Sequence, residues 1–133
     1  ETGGRLRGEN IIYKFAMDGL EICHLGDLGE ECSSELIEML LPVNILLIPV
    51  GGNYTIDAER ANEYGDRMMP EIVIPMHYKT RSLNLDIDKA DAFLDLFDDE
   101  ETEIAGRDVL EFSRDDLTEE KTKVILMERT KIR

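Results

Sequence analysis

Asn44 to Val50, Asn-Ile-Leu-Leu-Ile-Pro-Val, is a nearly unbroken apolar run, and it constrains the chain more than any other stretch. A strand with one wet face alternates apolar and polar residues. A short continuous run instead marks a strand covered on both faces, as in the parallel sheet of an α/β fold. The flanking sequence supplies the covering helices. Glu35 to Leu41 reads as a helix that Ser33 or Ser34 can cap, and Asp57 to Met68 reads as another. Glu71 to Met76 is a second short apolar strand. An α/β fold is therefore expected.

The rest of the chain fits that plan. Asn10 to Met17 and Leu20 to Leu25 are β-rich runs separated by Asp18-Gly19, a pair that signals a two-residue hairpin turn. The preceding Glu1 to Gly8 is Gly-rich and polar and reads as a loop. Lys89 to Phe97 places Ala90, Phe93, Leu94 and Phe97 on one helical face, with Asp86 or Asp88 as the cap. Asp98 to Glu101 then reads as a solvated helix end. Val109 to Phe112 and Val124 to Met127 are expected to pair at a sheet edge, joined by the polar segment Ser113 to Thr122. With 133 residues, 42% hydrophobic and 34% charged, the chain has the composition of one globular domain spanning 1–133. A domain of this size buries roughly two-thirds of the surface of its unfolded chain.

Charge and cysteine usage exclude several partners. Acidic residues outnumber basic ones 30 to 15, for a net charge of −15, so the field repels polyanions and argues against nucleic acid. Leu40 to Val50 is broken by Pro42, Asn44 and Pro49 and is far short of the roughly 20 apolar residues that cross a bilayer, so no membrane span is expected. Cys23 and Cys32 form neither a CxxC nor a disulfide framework, which suits reduced packing thiols in a cytoplasmic protein. Glu1, with no initiating Met, reads as a cut or processed end.

Three successive strands end in loops with unusual residues: Leu25-Gly26-Asp27-Leu28-Gly29, Pro49-Val50-Gly51-Gly52-Asn53 and Pro75-Met76-His77-Tyr78. Ligands of open α/β sheets bind beyond the carboxyl ends of the strands. A carboxylate and an imidazole raised on such ends suit a metal centre or an acid–base pair. Spacing alone leaves other readings open, because Asp27 and His77 stand fifty positions apart. Asp27 could cap its own turn, and His77 could be a structural polar residue. His24 is read as a packed or hydrogen-bonded histidine, and Gly51 and Gly52 as turn residues. Tyr78, Lys79 and Arg81 could meet an anionic substrate or simply line a solvated loop.

Taken together, four ordered segments resemble the metallo-β-lactamase superfamily. They are Arg7 to Tyr13, Asp18 to Gly29 with its His24-Leu25-Gly26-Asp27-Leu28-Gly29, Leu46 to Thr55 with its Pro49-Val50-Gly51-Gly52-Asn53-Tyr54, and Ile74-Pro75-Met76-His77-Tyr78. The likeness is to the prokaryotic Zn-dependent hydrolase-like branch related to ascorbate-phosphate lactonases, and it runs from Gly4 to about Leu126. It implies half of a four-layer αββα sandwich, the C-terminal half, with a mixed sheet and flanking helices. It also implies a dinuclear metal site, zinc or in some members manganese or iron, in which Asp27 is the bridging carboxylate and His77 a ligand of the second metal. Such metals polarise the bond under attack and make a nucleophile of water near neutral pH. Asp27 and His77 are thus the expected metal-binding and catalytic residues. His24, Gly52, Tyr78 and Lys79 are candidates for supporting them or touching substrate.

The family's HxHxDH motif and third histidine lie upstream of the segment that this sequence matches. His24 and His77 are its only histidines, whereas a catalytic zinc takes three protein ligands. The resemblance therefore implies a hydrolase of a small ester, lactone or phosphorylated compound whose site is incomplete in this chain, so that alone it binds metal weakly or not at all and is inactive. A sheet face left without its second layer should associate, giving a homo-oligomer whose sheets stack face to face. The alternative is a non-catalytic oligomerisation or binding module. A nucleotide-binding domain is disfavoured, since neither a P-loop nor a GxGxxG follows a strand.

Overall fold

Asp18 and Gly19 both take left-handed backbone angles, φ 52° and 78°. A two-residue turn of this kind matches the twist of the strands that it joins. It links β1 (Tyr13–Met17) to β2 (Leu20–His24) in an antiparallel hairpin with Phe15 opposite Ile22. The computed structural model describes residues 11–29, 32–53, 55–79, 88–111, 113, 117 and 122–127. The opening loop over Glu1 to Gly8, Asn10, Tyr54, Arg81, Asp86, Phe112 and most of the Ser113 to Thr122 segment lie outside those residues.

Two right-sized crossovers follow the hairpin. In α1 (Ser34–Leu40) the Ser33 hydroxyl accepts the Leu36 N–H at 3.2 Å, and in α2 (Ala58–Met68) the Asp57 carboxylate accepts the Arg60 N–H at 3.0 Å. Each cap satisfies a backbone donor that the first helical turn leaves open. Between and after these helices run β3 (Ile45–Pro49) and β4 (Ile72–Met76), so β2, β3 and β4 are mutually parallel. A short α3 (Asp91–Leu94), β5 (Thr102–Ile104) and β6 (Lys123–Leu126) complete a sheet of order β1-β2-β3-β4-β6-β5. This is the mixed sheet with flanking helices that the resemblance implies. No helix among the described residues is long and apolar enough to cross a membrane.

The core divides along the two sides of the sheet. Residues such as Cys23, Leu46, Ile48, Val73 and Val124 point to the helix side, where Ile37, Tyr64, Met68 and Phe93 cover them. Leu20, Ile45, Ile72, Ile74 and Ile125 form a second cluster on the opposite face, against which Ala105, Leu110 and Leu117 pack. Toward β1 that cover ends. By register Phe15 and Met17 share the face of Ile22 and Leu20, yet Tyr13, Phe15 and Met17 are 58%, 44% and 57% exposed.

Two expectations need correction. Val109 to Glu111 has no regular structure, and the partner of β6 is Thr102–Ile104, beginning where the acidic run ends. That run forms a 3-10 turn over Asp99–Glu101 in which the Asp98 N–H donates to the Glu101 carboxylate at 2.9 Å. It delivers the chain straight into an edge strand, whose Glu103 meets Lys123 at 2.8 Å. Leu110 packs on the face of the sheet and is not paired within it. The helix expected over Lys89 to Phe97 is also shorter, because Asp88 caps nothing. Its backbone is used elsewhere: its N–H donates to the Gly51 carbonyl at 2.7 Å and its carbonyl accepts the Lys79 N–H at 2.8 Å. Phe97 still reaches the core side, edge-on to Phe93 with ring centroids 5.0 Å apart.

At the amino ends of the parallel strands one side chain ties three of them. Asn44 Oδ1 accepts the Glu21 N–H at 2.7 Å, and its Nδ2 donates to Glu71 Oε1 at 2.8 Å. Its carbonyl also accepts the N–H groups of Glu71 and Ile72 at 2.9 and 3.0 Å. Asn44→Ala should therefore cost about 2 kcal/mol, since it strands a half-buried donor and acceptor; urea unfolding would show a lower midpoint at an unchanged slope. Burial pushes the Cys23 thiol up to about 11 from an ordinary 9.0, opposed by the attraction of Lys14. The fold favours the protonated thiol, so stability should fall as pH rises from about 9 towards 11. Over that range the urea midpoint of the wild type should drop faster than that of Cys23→Ala; parallel curves would refute the assignment.

Candidate metal centre

The three strand-end loops meet at one edge of the sheet because β2, β3 and β4 run in the same direction. Pro49 stands beside Met76 in the β3–β4 register, and β2 ends at the His24–Leu47 pair, just beyond which the Leu25 N–H donates to the Leu47 carbonyl at 3.0 Å. Residues fifty positions apart in sequence are thereby brought together. His77 Nε2 lies 2.7 Å from Asp27 Oδ1. At that distance the imidazole donates a hydrogen bond to the carboxylate.

Stability does not explain this pair. Its side chains are 47% and 70% exposed, and an exposed ion pair contributes about 0–1 kcal/mol. His77 meanwhile has a φ of 52°, in the left-handed region that costs a non-glycine residue about 1–2 kcal/mol. A weak contact held against backbone strain makes the pair a candidate for a functional site.

The two loops are built differently. Gly26, at φ 60°, turns the chain after β2, and its N–H donates to His24 Nδ1 at 3.1 Å. The structure thus gives His24 a hydrogen-bonding role in shaping the Asp27 turn, with Nδ1 as acceptor. On the other side, the Val50 N–H donates to the Met76 carbonyl at 3.0 Å, and the Lys79 N–H is held by Asp88. Tyr78 is half-buried, and its hydroxyl donates to the Met127 carbonyl at 3.2 Å. Burial raises the Tyr78 pKa above its ordinary value, which keeps that hydroxyl a donor. Lys79 is exposed two residues beyond His77.

The central loop joins the outer two through the main chain. The Ile56 N–H donates to the Leu28 carbonyl at 2.8 Å, the Gly52 N–H to the Ile56 carbonyl at 3.1 Å, and the Asp88 N–H to the Gly51 carbonyl. Gly52 has φ 74°, and a Cβ there would sit 3.4 Å from the Asp57 Cβ. Space is adequate, so glycine is required by the backbone angle alone. The roles of Asp88, Leu28 and Ile56 were not legible in the sequence, because backbone hydrogen bonds leave no residue signature.

The donor set suits a divalent cation. Ligand bonds of about 2.1 Å at a tetrahedral angle place two donors roughly 3.4 Å apart, so the observed pair needs to open by less than 1 Å to admit an ion in place of the shared proton. An imidazole and a carboxylate serve zinc, manganese and iron alike. Among the described residues no group of three or more His, Cys, Asp or Glu side chains is arranged to hold a metal. Among the described residues Asp27 and His77 stand as a pair of candidate donors.

Comparison with known proteins places this edge in a family. Residues 1–77, which include both Asp27 and His77, match the family described as Beta-lactamase superfamily domain. A UPF0173 metal-dependent hydrolase of Carboxydothermus hydrogenoformans is 37% identical over 73 residues, 55% of this chain and 32% of that protein. One from Thermoplasma acidophilum is 39% identical over 80 residues, 60% of this chain and 35% of that protein. The matched segment thus spans about a third of the length of these curated relatives. A Thermotoga maritima crystal structure, described as a putative Zn-dependent hydrolase of the metallo-β-lactamase superfamily, overlays 90% of this chain and 59% of its own at 37% identity with a TM-score of 0.75. The mixed sheet, its flanking helices and the matched sequence agree, and the chain belongs to the metallo-β-lactamase superfamily.

Proposed function

We propose that Asp27 and His77 are two ligands of a dinuclear metal centre, most simply zinc, in a hydrolase acting on a small ester, lactone or phosphorylated compound. The observation that carries this reading is the 2.7 Å approach of an exposed carboxylate and imidazole at the carboxyl ends of parallel strands. The naming of similar proteins as metal-dependent hydrolases supports it. Asp27 would hold metal through its carboxylate and His77 through its imidazole. Bound ions there supply Lewis-acid polarisation and activate water near neutral pH. The chain's own residues prepare that chemistry. Asp27 would bring negative charge to offset a dication, and His77 would offer its Nε2 lone pair as the neutral imidazole that carries its proton on Nδ1. Lys79 offers a cation to an anionic substrate that the net charge of −15 would otherwise repel. Two free thiols, Cys23 and Cys32, favour a cytoplasmic setting.

The remaining ligands come from a partner segment, so this chain alone binds metal weakly and is inactive. Calorimetric titration with Zn2+ should give weak binding to the wild type, and affinity at least about tenfold lower in both Asp27→Asn and His77→Ala. Equal affinity in all three proteins would overturn the ligand assignment.

A second reading, an oligomerisation or binding module, draws on the exposed Tyr13, Phe15 and Met17. An apolar face of this kind is covered in stable proteins, and a second copy stacked by a twofold axis covers it symmetrically. We therefore expect a dimer through the sheet face. Light scattering behind size exclusion should return twice the chain mass and Phe15→Lys should return the monomer; a monomeric wild type would sink the idea.

A further inference from the structure

His77 needs its backbone held, since a left-handed histidine relaxes to ordinary angles unless its neighbours prevent it. On the β3 side the hold is visible in the Val50 N–H bond to Met76, and after His77 in the Lys79 N–H bond to Asp88. On the β6 side the register pairs Ile72 with Lys123 and Val73 with Val124, the first half of β4 only. Tyr78 reaches across that opening. Its ring packs against the helix-side core, and its hydroxyl donates to the carbonyl of Met127, the residue directly after β6.

We infer that Tyr78 is a positioning residue for His77, tying the chain just beyond the imidazole to the end of β6 so that Nε2 is presented to Asp27. The inference deepens the ligand-pair reading and rests on it for its functional meaning. It also assigns the hydroxyl to the protein: a phenol has one proton to donate, and this one is given to Met127. Of the two roles open to Tyr78 from sequence, supporting the ligands or contacting substrate, the geometry favours the first.

Tyr78→Phe keeps the ring in its packing site and removes only the hydroxyl. In metal-free, 15N-labelled protein, the His77 ring signals of Tyr78→Phe should move toward those of Asp27→Asn. The Val50 and Lys79 amides should exchange about tenfold faster, the scale of one lost hydrogen bond. The His24 ring, which accepts from Gly26, and the Leu25 amide, bonded to Leu47, should not change. An unmoved His77 ring overturns the inference even if the amides quicken, because the hydroxyl would then serve stability alone. Uniformly faster exchange of the Val50, Lys79 and Leu25 amides overturns it as well. No metal enters this experiment, so loss of the predicted ring shift and loss of Asp27-dependent zinc affinity are separate results.

Discussion

Parallel alignment of β2, β3 and β4 is the constraint on which the rest depends. It sends three carboxyl ends to the same edge, and with them Asp27, Gly52 and His77. One reversed strand would place a ligand at the far end, about 16 Å away for a five-residue strand. A slip of one residue in the β3–β4 register would move His77 by about 3.3 Å and turn alternate side chains to the wrong face, breaking a contact of 2.7 Å. Parallel pairing also requires crossovers, and α1 and α2 supply them while covering the helix side of the core.

The two ends of this sheet are secured by different chemistry. At the amino ends a side-chain amide does the binding: Asn44 offers a donor and an acceptor to Glu71 and Glu21. At the carboxyl ends the fastening is mostly main-chain, from Leu28 to Ile56 to Gly52 and from Gly51 to Asp88 to Lys79. Backbone fastening leaves side chains at that edge available for a ligand. The exposed carboxylate and imidazole sit on a frame that does not rely on them for strength.

Sequence chemistry read the local elements well wherever a few neighbouring residues decide them. Asp18-Gly19 dictates the hairpin because both positions need left-handed angles, and Ser33 and Asp57 mark helix starts through their own side-chain caps. It read the last third less well. Val109 to Phe112 and Thr102 to Ile104 are both short and apolar in part, and in the fold Thr102–Ile104 pairs with β6 while Leu110 packs on the sheet face. Asp88 looked like a helix cap and became a bridge between loops, which shortened α3 from its expected start.

By itself, then, the sequence determined an α/β chain with a buried strand, the glycine turns at strand ends, and two polar residues of the right chemistry on separate loops. Those properties are local, set by hydrophobic period and backbone angle. Only the tertiary structure decided that Asp27 and His77 touch, that His24 shapes the Asp27 turn and that Tyr78 is anchored to Met127. Such contacts join positions far apart in the chain, and they depend on strand order and register, which packing of the whole sheet selects.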